Sequence, residues 1–169
     1  VGRLTHPNAE VQGLEAQWEV SGIAPDLKKL SGRAKMSSTG GRFNSIGKMA
    51  AQSALVKVMV FPLMIFQKLG GIGGLRIFPD FNDISFTELV GDYVFDAGMM
   101  TLQDSHLYSD AANVTSVGRI DLPGEKLSLT VTAQVANVAP MDIEVTGTFA
   151  QPKTKVKVGK FIKDLFKKG

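Results

Sequence analysis

Three consecutive stretches in the second half of the chain alternate apolar and polar residues with a period of two, which limits the fold more than any other feature. In the first, Val114, Ser116, Gly118, Ile120 and Leu122 interleave with Asn113, Thr115, Arg119 and Asp121. In the second, Leu127, Leu129, Val131, Ala133 and Val135 interleave with Ser128, Thr130, Thr132 and Gln134. In the third, Met141, Ile143, Val145, Gly147 and Phe149 interleave with Asp142, Glu144, Thr146 and Thr148. Successive side chains of a strand point to opposite faces, so each run reads as a strand with one dry side. The links Pro123-Gly124-Glu125-Lys126 and Asn137-Val138-Ala139-Pro140 are short and rich in turn formers. Neighbours joined this way run antiparallel, and their apolar residues share one continuous aliphatic face.

The first half carries the same signal in weaker form. Leu14, Ala16, Trp18 and Val20 alternate with Glu15, Gln17 and Glu19; after the Ala24-Pro25-Asp26 turn, Gly32, Ala34 and Met36 alternate with Arg33, Lys35 and Ser37. Thr39-Gly40-Gly41 breaks that run. Between Leu89 and Leu102 the apolar parity slips from Tyr93 and Phe95 to Met100 and Leu102, which predicts a bulge or turn near Ala97-Gly98. Residues 44–69 read differently. Asn44 or Ser45 can cap a helix whose body is apolar on nearly all sides, with a kink at Pro62 and an end at Gly70, Gly71, Gly73 and Gly74. Its most apolar window, 54–66, contains Lys57 and Pro62 and falls short of the roughly 20 residues that span a bilayer. A second helix is predicted in the tail, 153–169, where Val158, Phe161, Ile162, Leu165 and Phe166 form a stripe with Lys160, Lys163, Lys167 and Lys168 beside it. That helix is either a foot on an anionic membrane or a cap on the sheet. The prediction is an α+β fold: a curved, mostly antiparallel sheet with an open groove, the long apolar helix and the short basic one. Residues 1–152 form the domain and 153–169 the tail.

Composition narrows the chemistry. The chain is 169 residues long and has no cysteine, so disulfides, thiolate metal sites and cysteine nucleophiles are excluded. Its two histidines, His6 and His106, are a hundred positions apart and form no two-histidine metal motif. No metal, cofactor or catalytic residue is expected. Asp104-Ser105-His106 contains the triad residue types, yet neighbours on a strand face opposite ways and cannot converge. The net charge of +3 conceals a division: residues 1–74 carry +5, residues 75–152 carry −8 and residues 153–169 carry +6. The most regular strands are therefore acidic, which argues against nucleic acid as a partner. The chain opens on Val1 without a leader and reads as a piece processed or excised from something longer.

A sheet with one apolar face must cover it, and a single helix about 10–12 Å across is too narrow for six or more strands. A sheet that curls without closing would leave a trough, where each buried methylene of an acyl chain gains roughly 0.8 kcal/mol. Candidate lipid-facing residues are Met59, Phe61, Leu63 and Phe66 from the helix and Val114, Ile120, Leu127, Leu129, Val131, Ile143, Val145 and Phe149 from the sheet. Candidate membrane-contact residues are Lys160, Phe161, Ile162, Lys163, Leu165, Phe166, Lys167 and Lys168.

Several of these segments resemble the C-terminal region of the AsmA-like family. They are the 44–69 helix with its glycine end, Phe86-Thr-Glu-Leu-Val-Gly-Asp-Tyr through Gly98-Met-Met-Thr-Leu, Gly118-Arg-Ile-Asp-Leu, Leu127-Ser-Leu-Thr-Val and Val145-Thr-Gly-Thr-Phe-Ala-Gln-Pro-Lys. The resemblance implies a Gram-negative envelope protein in the periplasm, held at the inner membrane through a part outside this chain. It further implies a β groove that shields phospholipid on its way between the membranes. Phospholipid and a membrane surface are then the expected partners, along with other envelope proteins or further copies of the chain. The competing expectation is a non-enzymatic structural module that docks onto an envelope complex through open strands and the basic tail.

Overall fold

Eleven strands form one antiparallel sheet in the computed structural model, which describes residues 2–6, 9–22, 26–44, 48, 83–135 and 139–158. They are β1 (Gly2–His6), β2 (Ala9–Ser21), β3 (Ser31–Ser38), β4 (Gly40–Asn44), β5 (Asp83–Phe86), β6 (Glu88–Asp96), β7 (Met99–Tyr108), β8 (Ala112–Asp121), β9 (Lys126–Val135), β10 (Met141–Thr148) and β11 (Pro152–Val158). From β6 to β11 every strand pairs with the next in sequence, as the alternating runs require.

The earlier strands follow the same plan once a bend is recognised. Ala9 to Gln12 pair with Phe43 to Gly40 on β4, and Glu15 to Ser21 pair with Ser37 to Ser31 on β3, with no residue gained or lost between. On the other side, Asp83–Phe86 pairs with Asn44 to Gly41 and Leu89 to Phe95 pair with Ser38 to Gly32, again in one register. Thus β3 and β4 are one strand bent at Thr39, and β5 and β6 are one strand bent at Thr87. The sheet is an up-and-down meander of eight strand positions: β2, β3–β4, β5–β6 and then β7 through β11. β1 lies on the outer side of the first half of β2.

The bend crosses the sheet at Gly13, Thr39 and Thr87. Gly13 has φ +57, a conformation that a side chain at this point would resist. The backbone groups released there are recovered locally: the Thr39 N–H donates to the Gln12 carbonyl at 3.1 Å and the Gly40 N–H to the Ser38 hydroxyl at 3.2 Å. Beyond the bend Phe43 and Phe86 stack with centroids 4.8 Å apart, and Val11 and Ile84 are buried with them.

The apolar side chains of the remaining strands share the inner face, as the alternation predicts. Met100, Leu107, Ile120, Ala133, Ile143 and Val145 are fully enclosed there. One row across this face is small: Gly91, Ser105 and Ser116 are successive partners. A Cβ on Gly91 would collide with the Tyr93 hydroxyl, so the Tyr93 ring lies over the glycine and fills the space the small residues leave. The slip in parity near Ala97 is a turn: Ala97 (φ 49) and Gly98 (φ 81) join the paired residues Asp96 and Met99, with positive φ at both positions as a type I′ hairpin requires.

The α+β expectation is corrected to a single antiparallel sheet. Among the described residues the one helical element is the three-residue 3₁₀ turn Leu27–Lys29, capped by Asp26. Asn44, one of the two residues expected to cap the long helix, ends β4 instead, and its side chain accepts a hydrogen bond from Arg42 Nε at 3.1 Å; the other, Ser45, lies outside the described residues. Lys48 has helical backbone; the rest of 45–82, with Met59, Phe61, Leu63 and Phe66, lies outside the described residues. The expected basic helix is corrected where it begins, because 152–158 pairs with β10 along its whole length. The physical reason is visible in the sequence: Lys153, Lys155 and Lys157 alternate with Thr154, Val156 and Val158, so a strand satisfies this stretch. The exposed backbone of β10 then supplies the partner that a helix would forgo. Lys160, Phe161, Ile162, Lys163, Leu165, Phe166, Lys167 and Lys168 lie outside the described residues.

Candidate functional site

The sheet offers three places where chemistry or recognition could occur: its inner face, its polar outer face and its two edges. The inner face holds the sheet residues expected to touch lipid. Val114, Ile120, Leu127, Leu129, Val131, Ile143 and Val145 are all at most 5% exposed. They are brought together, but inside the protein. Phe149 is half-buried just beyond β10, where its N–H donates to the Glu125 carbonyl at 3.1 Å.

On the outer face a β-bulge organises a cluster of acid–base groups around His106. Leu102 pairs with Gly118 and Ser105 with Ser116, so Gln103 and Asp104 together oppose Val117 alone. The extra residue reverses the parity of β7. Before it Met100 and Leu102 point inward; after it Ser105 and Leu107 do, and Asp104 and His106 point outward. His106 Nδ1 lies 2.9 Å from Asp104 Oδ1 and Nε2 lies 3.1 Å from Glu88 Oε1, and the ring stacks on Tyr108 at 4.5 Å. Burial by itself would lower the imidazole pKa, but the two carboxylate hydrogen bonds and charges outweigh it and raise the pKa above its ordinary value. With both ring nitrogens occupied by carboxylates, His106 is an ionic clip between β6 and β7. Ser105 faces the other way, near Tyr93, whose hydroxyl burial pushes up to about 12. The three neighbours do not converge into a triad.

Next to this clip lies an open depression of about 360 Å³, lined by Glu15, Gln17, Lys35, Met36, Ser37, Val90, Gly91, Asp92 and Asp104. Lys35 Nζ lies 3.5 Å from Asp92 Oδ2, while Asp92 Oδ1 is buried without a hydrogen-bond partner. The depression is shallow and mixed in charge. Among the described residues no group of three or more His, Asp or Glu could hold a metal ion, and no helix is long and apolar enough to cross a membrane.

The edges differ from both faces. Along the outer side of β2, beyond the reach of β1, residues Glu15 to Ser21 have no strand partner among the described residues. Glu15, Ala16, Gln17, Trp18 and Glu19 are all exposed, Trp18 by 57%. At the opposite end β10 is the one strand partner of β11 among the described residues, and Lys153, Lys155, Val156 and Lys157 are exposed. One lysine, Lys157, forms an ion pair with Glu144 of β10. Reading the alternation as dry face against wet face missed these edges. Their signal is nonetheless present: β2 carries Glu10, Glu15 and Glu19 with no basic residue, and β11 carries three lysines with no acid.

No family model, curated protein or solved structure matches the chain. The AsmA-like resemblance therefore rests on the short motifs quoted from the sequence.

Proposed function

We propose that the chain is a non-enzymatic assembly module that recognises a partner polypeptide along its open strand edges. The observation that carries this reading is the run of five exposed residues, Glu15 to Glu19, on the part of β2 beyond Leu14, whose outer side lacks a strand partner among the described residues. Natural sheets usually blunt such an edge with charged side chains, proline, a bulge or a covering loop, and seldom place a large apolar side chain on it. Here the edge displays a tryptophan. An edge of this kind binds an added strand through main-chain hydrogen bonds, with side-chain contacts setting the choice of partner.

Phospholipid shielding is the competing reading, and burial weighs against it. An acyl chain placed on Ile120, Ile143 or Val145 would have to displace whatever already encloses them. Native mass spectrometry of the whole chain, purified without detergent, separates the two. Bare or assembled chains free of lipid are the expected result. A stoichiometric phospholipid adduct would overturn the assembly reading.

A further inference from the structure

We infer that the partner is a second copy of this chain, joined head to tail, with β11 of one copy laid against the open half of β2 of the next. This rests on the edge-docking reading and gives it an occupant.

Three independent features of the sheet fit that arrangement. The first is strand direction. The meander has eight strand positions, an even number, so β2 and β11 run in opposite directions. A copy added by simple translation along the sheet places its β11 antiparallel to β2, as at every other junction in the molecule, with its apolar face on the same side. The second is length. The open part of β2, Glu15 to Ser21, pairs with β3 through seven residues, and β11 is seven residues long. β1 occupies β2 up to Leu14 and so limits how far an incoming strand can slide.

The third feature is the side-chain register. Cross-strand partners can be followed from one edge to the other. The row that begins at Glu15 runs through Ser37, Val90, His106, Thr115, Thr132 and Asp142 to Lys157. The row from Glu19 runs through Arg33, Val94, Thr101, Arg119, Ser128 and Thr146 to Lys153. Between them, Gln17 leads across the bulge to Lys155. A translated copy that keeps this register sets Lys157 opposite Glu15, Lys155 opposite Gln17 and Lys153 opposite Glu19. Lys155 then stands between two glutamates. On the inner face the same register sets Val156 opposite Ala16 and next to Trp18. Trp18 and Val156 are two of the four large apolar residues that the described chain exposes, and the junction covers both.

Edge lysines often serve only to keep strands apart. To block the head-to-tail contact as well, both edges would have to carry like charges. Here one edge is basic and the other acidic, so the charges repel a β11–β11 or β2–β2 contact and favour the head-to-tail one. Such a contact is heterologous and does not close on itself, so it propagates.

Charge exchange between the edges tests this. Sedimentation of the whole chain at about 50 mM salt, where surface charges are weakly screened, should show mass-average molecular weight rising with concentration. Gln17→Lys with Glu19→Lys makes both edges basic, and Lys153→Glu with Lys155→Glu makes both acidic, while Glu15 and Lys157, which face each other in this register, are left in place. Each double variant should associate at least about tenfold more weakly than the parent, and an equimolar mixture of the two should recover the parent's association, because each variant then meets its complement. Melting curves confirm that both fold. Because the chain lacks cysteine, Ala16→Cys and Val156→Cys add a positional test. Mixed under oxidation, the two should cross-link to each other faster than either does to itself. Unchanged self-association of the double variants, a mixture no stronger than its components, or cross-linking equal within and between variants would overturn the inference. So would a parent that stays monomeric. If that monomer is also free of lipid, edge docking survives with a foreign strand as its occupant; a lipid adduct removes the edge-docking reading itself.

Discussion

At the scale of single residues, the chain's polar side chains work by clipping strands together. His106 bridges Asp104 on its own strand and Glu88 on the neighbouring one, and both contacts favour the charged imidazolium. Its pKa is higher in the folded chain than in the unfolded one, so protonated His106 contributes stability that is full below the unfolded value of about 6.5. That contribution is lost as pH rises through the raised folded value. The melting temperature should therefore fall as pH is taken from below about 6.5 upward through the titration of His106. His106→Gln should flatten this part of the profile, and an unchanged slope in the variant would dismiss the clip. The bulge at Gln103–Asp104 is what makes the clip possible. Without the extra residue Asp104 and His106 would point into the apolar interior. The change of apolar parity from Met100 and Leu102 to Leu107 is a faint trace of this bulge, but its place is defined by the neighbouring strands and not by the residues that form it.

At the scale of elements, the bend through Gly13, Thr39 and Thr87 divides the first three strand positions into two planes without changing their register. Ser38 is the hinge pin. It is 2% exposed, its hydroxyl lies 2.7 Å from the Gln12 carbonyl, and it accepts from the Gly40 N–H. Alanine at Ser38 removes the acceptor and leaves that buried N–H without its partner, at a cost of about 1–3 kcal/mol. Urea denaturation should show this as a lower midpoint with an unchanged slope. A change under about 0.5 kcal/mol, the usual surface effect, would mean that the bend is held by other contacts. In the sequence the bend is marked by Thr39-Gly40-Gly41, read there as the break before a helix. The same residues suit both, since glycine interrupts a regular strand whatever follows it. Asn44 carried a similar ambiguity, as a helix cap or a strand end, and pairing with Asp83 across β5 resolved it.

For the whole molecule, the question is whether the aliphatic face is an open trough or a core. Ile143 is fully enclosed between Val131 of β9 and Val156 of β11. Ile143→Ala should cost about 2–5 kcal/mol in chemical denaturation, as buried large-to-small changes do. That is a large part of the 5–15 kcal/mol that holds a typical domain folded. A loss below about 1 kcal/mol would instead mark a side chain lining an accessible groove. The sequence by itself determined that the chain builds an antiparallel meander and which side chains of β8, β9 and β10 share the dry face, because a period of two is a property of local backbone geometry. It also contained the lysine alternation of 153–158, but a short stripe with apolar neighbours fits a helix as well as a strand. Tertiary structure decided between them, since β10 offered unpaired backbone. It also decided that Ala16 and Trp18, on the dry parity of β2, stand in water at an edge. Local pattern states which way a side chain points relative to its own strand; only the complete set of strand partners states what lies there to meet it.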